Sequence, residues 1–446
     1  MACMMQNITA NSFDLGNALL NMKEEARKHA EEIDQAIEMI LPASMLKEID
    51  EAKKERAAIQ VESQEAEQQA ANSLDFPTWI MSGVVGDFAR IYGEHLEPPD
   101  HFFYMSYLTI FGLYLSDRLF LASQRKPAPR LYTILLGESG DTRKSTAMEE
   151  TEQHFRGFIE PGSMAVCRGA ASGEGLGRLL AKTSKVLLYY DELKVFVSKC
   201  QVQQSTLLMA ANILFEATRY ENHTAKDPFI IEHGLLSMLA ASTTDTYASL
   251  FDSKFLDIGF NNRLFLVPGD SDKCFPVPLS IPDDQIHRLY GQLQNRLKLT
   301  KDVAGMSIDQ DADERWAQFY TQIKGSSPYA KRLDTYGLRL MPLLALNDLK
   351  QRVDLETVEK VITLLKWQHS VRQVYDPIDA EGKVARMEET IRRTFKTKSE
   401  WPTRQLQRKV NYNRHGLWVW ESAIKNLRQN QEIQFNAKLG IYTAGR

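Results

Sequence analysis

One short segment of the sequence contains the residue types that bind phosphate. The segment GESGDTRKST lies between an apolar run and a stretch with helical spacing. In such a strand–loop–helix unit, backbone N–H groups and the positive end of the helix surround a polyphosphate. Lys144 would neutralise oxygens of the β- and γ-phosphates, and the Ser145 hydroxyl would hold Mg²⁺. The segment predicts a site for ATP and Mg²⁺ formed by Gly137, Gly140, Thr142, Arg143, Lys144, Ser145 and Thr146.

The segment departs from the strict phosphate-loop pattern G-x-x-x-x-G-K-[ST] at two points. Arg143 stands where the pattern has its second glycine, and six residues instead of five separate Gly137 from Lys144. An ordinary glycine turn, followed by a helix with a solvated lysine, is therefore the alternative interpretation of this segment by itself.

Two later apolar runs end in residues that would complete such a site. VLLYYDEL contains Asp191 and Glu192, and GLLSMLAASTTD contains Ser242, Thr243 and Thr244. Adjacent acids at the end of a strand point in different directions, so one can face a metal ion and the other the attacking water. We predict Asp191 as a magnesium ligand and Glu192 as the catalytic residue that polarises water. A solvated strand end is the alternative.

The apolar runs also indicate the fold class. LYTILLG, VLLYYDEL, GLLSMLAASTTD and RLFLVPGD are short runs separated by helical patterns. Strands that alternate with helices are typical of an α/β fold with a mainly parallel sheet covered on both faces. Arg263, at the start of the last run, stands where an arginine could reach a nucleotide.

Residues 76–347, about 60% of the chain, resemble the phage- and plasmid-borne P-loop ATPases found beside primases. That family is related to AAA+ and minichromosome-maintenance-like helicases. The resemblance is carried by LYTILLGESGDTRKSTA, VLLYYDEL, LAASTTD and GFNNRLFLV. It implies an AAA+-like core in which Lys144 and Ser145 are Walker A groups and Asp191 and Glu192 are Walker B groups.

The resemblance also implies roles for three further residues. Thr243 would be the sensor on the third strand, with the neighbouring hydroxyl residues as alternatives. Arg263 would be an arginine finger, and Arg339 would be a second sensor on the helical subdomain. An arginine finger stabilises charge on a nucleotide held by the neighbouring subunit, so the expected assembly is a homo-oligomer, most simply a hexamer.

The two ends of the chain carry opposite charge. Residues 1–75 hold 15 acidic and 7 basic residues, whereas residues 381–446 hold 14 basic and 6 acidic residues. The basic tail has three amphipathic helical patterns followed by two short strand patterns, an order typical of a winged helix. We expect the tail to bind DNA phosphates through Lys425, Arg428 and Lys438. A protein-docking winged helix is the alternative.

A second expected DNA contact lies between the acidic strand and the hydroxyl-rich strand. In helicases of the resembled type this interval can hold a hairpin that projects into a central pore. His223 and Lys226 are the phosphate contacts that the interval offers, and an ordinary surface loop is the alternative.

The chain is therefore expected to divide into five segments. They are an acidic helical arm (1–75), a helical lid (76–130), a P-loop ATPase core (131–280), a helical subdomain (281–378) and a basic winged-helix domain (379–446). No run of 18 apolar residues and no secretory signal pattern occurs, so we expect a protein of the cytoplasm of a bacterium or a phage-infected host.

Together these features predict an ATP-dependent, oligomeric DNA motor, most simply the replicative helicase of a phage, plasmid or other mobile element. A primase or another replication protein is a further expected partner. The main alternative is an ATP-switched DNA-binding scaffold, such as a loader or a defence or transposition regulator, without unwinding activity. A small-molecule kinase is a third possibility, which Arg263 and the basic tail disfavour.

Overall fold

The computed structural model describes residues 74–138, 140, 142–222, 228–250, 255, 259–302, 305–375, 383–436 and 439–445. All but the last two residues of the predicted acidic arm therefore lie outside the described residues.

The described chain alternates helices with short strands. In chain order the helices are α1 (Gly83–His95), α2 (Asp100–Leu115), α3 (Lys144–Arg156), α4 (Gly173–Lys182), α5 (Leu193–Cys200), α6 (Leu207–Glu216), α7 (Thr244–Leu250), α8 (Asp283–Asp302), α9 (Gln310–Ile323), α10 (Leu333–Asn347), α11 (Leu355–Tyr375), α12 (Lys383–Thr397), α13 (Thr403–Lys409), α14 (Tyr412–His415) and α15 (Leu417–Gln429). The strands are β1 (Phe120–Leu121), β2 (Tyr132–Leu136), β3 (Ala165–Cys167), β4 (Lys185–Tyr190), β5 (Tyr220–Asn222), β6 (Phe229–Ile231), β7 (Leu235–Ser242), β8 (Phe265–Pro268), β9 (Gly305–Met306), β10 (Glu400–Pro402), β11 (Ile433–Asn436) and β12 (Ile441–Ala444).

A five-stranded parallel sheet in the order β3-β4-β7-β2-β8 forms the centre of the fold. Every residue of β2, β4 and β7 is buried, as expected for parallel strands covered on both faces by helices. The predicted α/β class and its four strands are confirmed. The three-residue strand β3 escaped prediction because it is too short to show a pattern.

Helix α2, part of the predicted helical lid, packs on the central sheet. It packs against β2, β4 and β7 and against α3, and apolar or aromatic residues on all its sides are buried. A helix that is apolar all round is buried on all sides. Gly112 is needed here, because a Cβ at this position would lie 2.2 Å from the Pro129 carbonyl oxygen.

The basic tail forms a small subdomain of its own. Helices α12, α13 and α15 pack around an apolar cluster separate from the main core, and β10, β12 and β11 form an antiparallel sheet beside them. The helices and the last two strands agree with the pattern in the sequence, and β10 is an addition. Asn411 Nδ2 donates to Asp245 Oδ2 at 2.6 Å, so this subdomain contacts the first turn of α7.

His154, on α3, is buried in an aromatic environment. Its ring lies 4.9 Å from that of Phe88 and 4.7 Å from that of Tyr290, measured between ring centroids. Neither ring nitrogen has a hydrogen-bond partner within the described part of the chain. Burial disfavours the charged imidazolium and lowers the pKa of His154 to about 3.

This histidine predicts a loss of stability in acid. The unfolded chain takes up a proton near pH 6.5, whereas the folded chain resists protonation down to about pH 3, so stability falls as the pH drops between these values. At pH 5 the loss amounts to about 2 kcal/mol. His154→Phe keeps a ring in the cluster, so urea unfolding should show a difference between pH 7 and pH 5 that is smaller by about that amount.

The exposed His287 on α8 provides the matched control. His287→Gln should leave the difference between the two pH values as it is in the unmodified protein. A difference that stays the same in His154→Phe would contradict the prediction.

Candidate nucleotide-binding site

The loop after β2 is tightly folded. Gly140 has a φ of +82°, and the Thr142 hydroxyl donates to the Glu138 carbonyl at 3.0 Å. A Cβ at Gly137 would lie 2.6 Å from Thr142 Oγ1 and 2.7 Å from the Gly269 carbonyl oxygen, so only glycine fits there. The predicted phosphate loop thus forms a compact turn at the carboxyl end of an inner strand of the sheet.

Lys144 directs its ammonium group back onto this loop. Its Nζ atom donates to the carbonyls of Gly137 at 3.0 Å and Glu138 at 2.8 Å, and to Thr142 Oγ1 at 3.1 Å. Neutral oxygens are weaker partners for an ammonium group than ionised phosphate oxygens. The lysine is therefore held at the loop in a position from which it can exchange these oxygens for a polyphosphate.

Helix α3 begins at Lys144 and presents its positive end to the same region. The first turn of α3 contains no acidic residue, so no side chain there competes for the exposed N–H groups. Ser145 is exposed and Thr146 is partly exposed. This helix end has the electrostatic character of an anion site.

The parallel register brings the acidic pair to the same edge of the sheet. Leu136, directly before the loop, lies beside Ser242, and Tyr190, directly before the acids, lies beside Ala240. Ser242 is fully buried, and its hydroxyl donates to Glu192 Oε1 at 3.1 Å. The phosphate loop, the acidic pair and the end of β7 therefore meet at the carboxyl edge of the sheet.

The two acids differ in surroundings. Asp191 is exposed, whereas Glu192 is partly buried and stands at the N-cap of α5 without a capping hydrogen bond from its side chain. Mg²⁺ commonly takes one or two protein ligands and completes its shell with phosphate oxygens and water. The exposed Ser145 hydroxyl and Asp191 carboxylate fit that requirement, and Glu192 has a second carboxylate oxygen besides the one that accepts from Ser242.

Thr243, the predicted sensor, makes its hydrogen bonds at the start of α7. Its Oγ1 atom accepts from the backbone N–H of Thr246 at 3.1 Å and donates to Thr246 Oγ1 at 2.7 Å. These bonds cap the first turn of α7. Successive strand residues point to opposite sides, so Ser242, and not Thr243, is the hydroxyl residue that reaches Glu192.

Arg263 lies at the opposite edge of the sheet from its own phosphate loop. Arg263 ends the short helical turn before β8. Because β2 and β8 are parallel and Thr133 pairs with Phe265, two residues further back Arg263 lies level with residue 131. At about 3.3 Å per residue, the loop at Gly137 begins about 20 Å further along. Its Nη1 atom donates to the Gly259 carbonyl at 2.7 Å. Arg263 thus cannot reach a nucleotide on its own loop.

Two buried side chains fix the backbone on both sides of Arg263. Tyr336 Oη donates to the Arg263 carbonyl at 2.6 Å. Arg372, which is fully buried, donates to the carbonyls of Asn262 at 3.0 Å and Leu264 at 2.9 Å. Sequence reasoning missed both residues, because no motif marks a side chain that acts through backbone carbonyls far away in the chain.

Arg339, the predicted second sensor, lies away from the predicted phosphate loop of its own chain. Its guanidinium is buried and donates to the carbonyls of Arg130, at 2.7 Å, and Phe215. Arg130 precedes β2, so Arg339 lies at the amino edge of the sheet, away from the phosphate loop. It binds the carboxyl end of α6, where cations are favourable, and burial lowers its pKa to about 9.

The described DNA-binding candidates are exposed on the basic subdomain. Lys425 and Arg428 lie one turn apart on α15. They border a cavity of about 450 Å³, whose lining also includes Trp420 and Tyr442. Lys438, His223 and Lys226 lie outside the described residues. Strands β5 and β6, on either side of residues 223–227, pair antiparallel.

No family model matches the sequence, and no curated protein matches it. Across the described ranges, no helix is both long and apolar enough to cross a membrane. The same ranges contain no group of three or more His, Cys, Asp or Glu side chains suited to hold a metal ion.

Proposed function

We propose that the chain is a P-loop ATPase that hydrolyses MgATP at the carboxyl edge of its parallel sheet. The observation that carries this proposal is the meeting of three segments: the loop that holds Lys144, the acidic pair, and Ser242 hydrogen-bonded to Glu192 at 3.1 Å. A cation, a metal-binding carboxylate and a fixed second carboxylate are the groups that phosphoryl transfer to water requires.

Each residue has a defined task in this proposal. Lys144 and the N-terminus of α3 bind the phosphates and stabilise negative charge that develops on them. Ser145 and Asp191 would hold Mg²⁺, which when bound neutralises phosphate charge. Glu192 orients and polarises the attacking water, and Ser242 fixes the rotamer of Glu192 by occupying one of its oxygens.

We further propose that the core is AAA+-like and that the chain assembles as a homo-oligomer. Strand β7 separates the loop strand β2 from the acidic strand β4, so a polar residue at its end lies between the phosphates and the acids. Arg263 lies about 20 Å from its own loop by strand length, and Tyr336 and Arg372 hold its backbone in place. A fixed arginine that cannot serve its own site is suited to serve the site of a neighbouring copy.

DNA is the proposed polymer on which the motor acts. The net charge of +8 over residues 381–446, from 14 basic and 6 acidic residues, favours binding to phosphates. The arrangement of α12, α13, α15 and the sheet of β10, β11 and β12 is compatible with a winged helix whose recognition helix is α15. Exposed Lys425 and Arg428 on that helix support this assignment.

One observation favours the alternative of an ATP-switched scaffold. Arg339 is bound to the carbonyls of Arg130 and Phe215 at the amino edge of the sheet, so this arginine of the helical segment lies away from the predicted phosphate loop of its own chain. A motor needs coupling between the nucleotide and moving segments, whereas a scaffold that only assembles on DNA needs less of it.

Strand separation on a forked DNA distinguishes the two functions. The motor predicts that the full chain with MgATP releases the labelled strand, and that a non-hydrolysable ATP analogue does not support release. ATP hydrolysis that is stimulated by the fork, with no strand released, would exclude the motor and leave the scaffold. Absence of both hydrolysis and DNA binding would contradict the proposed function as a whole.

A further inference from the structure

Glu97 connects the phosphate loop to a distant part of the chain. It lies between α1 and α2, and its Oε2 atom accepts from Arg143 Nε at 2.6 Å across 46 residues of sequence. Its Oε1 atom accepts from the backbone N–H of Phe275 at 3.0 Å. The Glu97 side chain is 19% exposed, and the Arg143 side chain is 52% exposed. One carboxylate therefore joins the loop to the segment that follows β8.

Arg143 has a backbone conformation that is unfavourable for a residue with a side chain. With φ at 47° and ψ at 38°, it adopts the left-handed conformation directly before α3. This conformation is costly for a residue with a side chain, whereas glycine adopts it freely. The phosphate-loop pattern has glycine at this position. Arg143 therefore holds a conformation for which the loop pattern uses glycine, and its guanidinium is paired with Glu97.

Glu97 itself lies on a well-fixed support. The Ser271 hydroxyl donates to the Glu97 carbonyl at 2.5 Å. Lys273 Nζ donates to the carbonyls of Gly93 at 2.8 Å and Pro98 at 3.1 Å, and to Asp100 Oδ1 at 2.5 Å. The backbone around Glu97 is thus tied on both sides to the segment after β8, so the carboxylate can hold Arg143 in a defined place.

We propose that Glu97 is a positioning residue for the phosphate loop. By holding the guanidinium of Arg143 it keeps this residue in the left-handed conformation, which in turn starts α3 at Lys144. Arg143 then acts through loop geometry, and its side chain does not contact phosphate. The proposal depends on the proposed nucleotide site, because its consequence is a loop that is ready to bind MgATP.

The test measures the affinity of the full chain for a fluorescent ATP analogue with Mg²⁺. Glu97→Gln keeps the size of the side chain but removes its charge, and we expect about tenfold weaker binding as the loop leaves its strained conformation. Glu94→Gln, an exposed neighbour on α1, is the matched control and should bind as the unmodified chain does. Thermal unfolding of both variants should match that of the unmodified chain.

The Arg143→Gly background separates positioning from a general structural role. Glycine adopts the left-handed conformation without support, so Arg143→Gly should bind the analogue within about threefold of the unmodified chain. Adding Glu97→Gln to that background should then have no further effect. An undiminished effect of Glu97→Gln in the glycine background would overturn the proposal, as would normal binding by the single Glu97→Gln variant.

Two other outcomes are distinguishable from these. If Arg143→Gly by itself weakens binding more than Glu97→Gln does, Arg143 contacts the nucleotide directly and the positioning role is excluded. If the unmodified chain and Lys144→Ala are equally unable to bind the analogue, the proposed nucleotide site fails, and the role of Glu97 fails with it.

Discussion

Replacing Lys144 with alanine is expected to lower the rate of MgATP hydrolysis by about 100-fold or more. The ammonium group of Lys144 lies 2.8 to 3.1 Å from three oxygens of the loop, so it is already at the place where phosphates would bind. Losing it removes a positive charge that stabilises the transferring phosphoryl group. Phosphate release under steady-state conditions, with ATP above saturation for the unmodified chain, measures the effect.

Two controls keep this result specific. Lys182→Ala removes an exposed lysine at the end of α4 and should hydrolyse ATP at the normal rate. Urea unfolding of Lys144→Ala should give a midpoint near that of the unmodified chain, because the lost hydrogen bonds lie in a surface loop. Hydrolysis by Lys144→Ala within about threefold of the unmodified rate would exclude the loop as the catalytic phosphate site.

The strands and their polar ends are the parts of the site that local sequence determines. The strands β2, β4, β7 and β8 are short apolar runs because both faces of the sheet are covered, and this pattern is visible without a structure. Parallel strands end at one edge, so the loop after Leu136 and the acids after Tyr190 could be expected to meet. The structure agrees with both expectations.

The choice among the three hydroxyl residues at the end of β7 and directly after it could not be made in this way. Ser242, Thr243 and Thr244 have similar chemistry, and a shift of one residue reverses the side of the strand that each faces. The decisive fact is that α7 begins at Thr244 and takes the Thr243 hydroxyl as its cap. Helix starts can be predicted only to within one or two residues, so the sequence does not show which of the hydroxyl residues caps α7.

The partners of Arg339 could not be predicted for a related reason. Arg339 lies on a helix whose sequence would suit either a solvated or a buried side chain, and its partners are backbone carbonyls of segments more than 100 residues away in the chain. Backbone carbonyls carry no sequence signal. The contacts of Arg372 with Asn262 and Leu264 and the link between Glu97 and Arg143 depend on the same kind of long-range packing.

Arg263→Ala is expected to be as inactive as Lys144→Ala when assayed by itself, but a mixture of the two is expected to recover activity. An arginine finger contributes about 10³-fold or more to the rate. Because Arg263 is level with residue 131 and far from its own loop, the arginine that serves a given site would come from the next copy. In a mixed assembly, an Arg263→Ala chain can supply Lys144 while its neighbour, a Lys144→Ala chain, supplies Arg263.

Random mixing of the two variants in equal amounts gives a quantitative expectation. Each site needs an Arg263→Ala chain beside a Lys144→Ala chain in the correct order, so roughly one quarter of the sites are complete in a closed ring. Phosphate release should rise from background to about that fraction of the unmodified rate. Arg332→Ala, which removes the nearby arginine paired with Glu216, is the matched control and should be active without mixing.

The mixing experiment also shows whether Arg263 acts on a neighbouring chain or only stabilises its own chain. If Arg263 stabilised only its own chain, through Gly259 and the ring of Phe215, every Arg263→Ala chain would carry a defective site, and mixing would restore nothing. The Arg263→Lys variant tests whether the positive charge is enough, because it keeps the charge near Gly259 but lacks the planar guanidinium group. A lysine variant that is fully active without mixing would show that only charge is needed. Recovery that depends on mixing both inactive chains requires a site shared between copies.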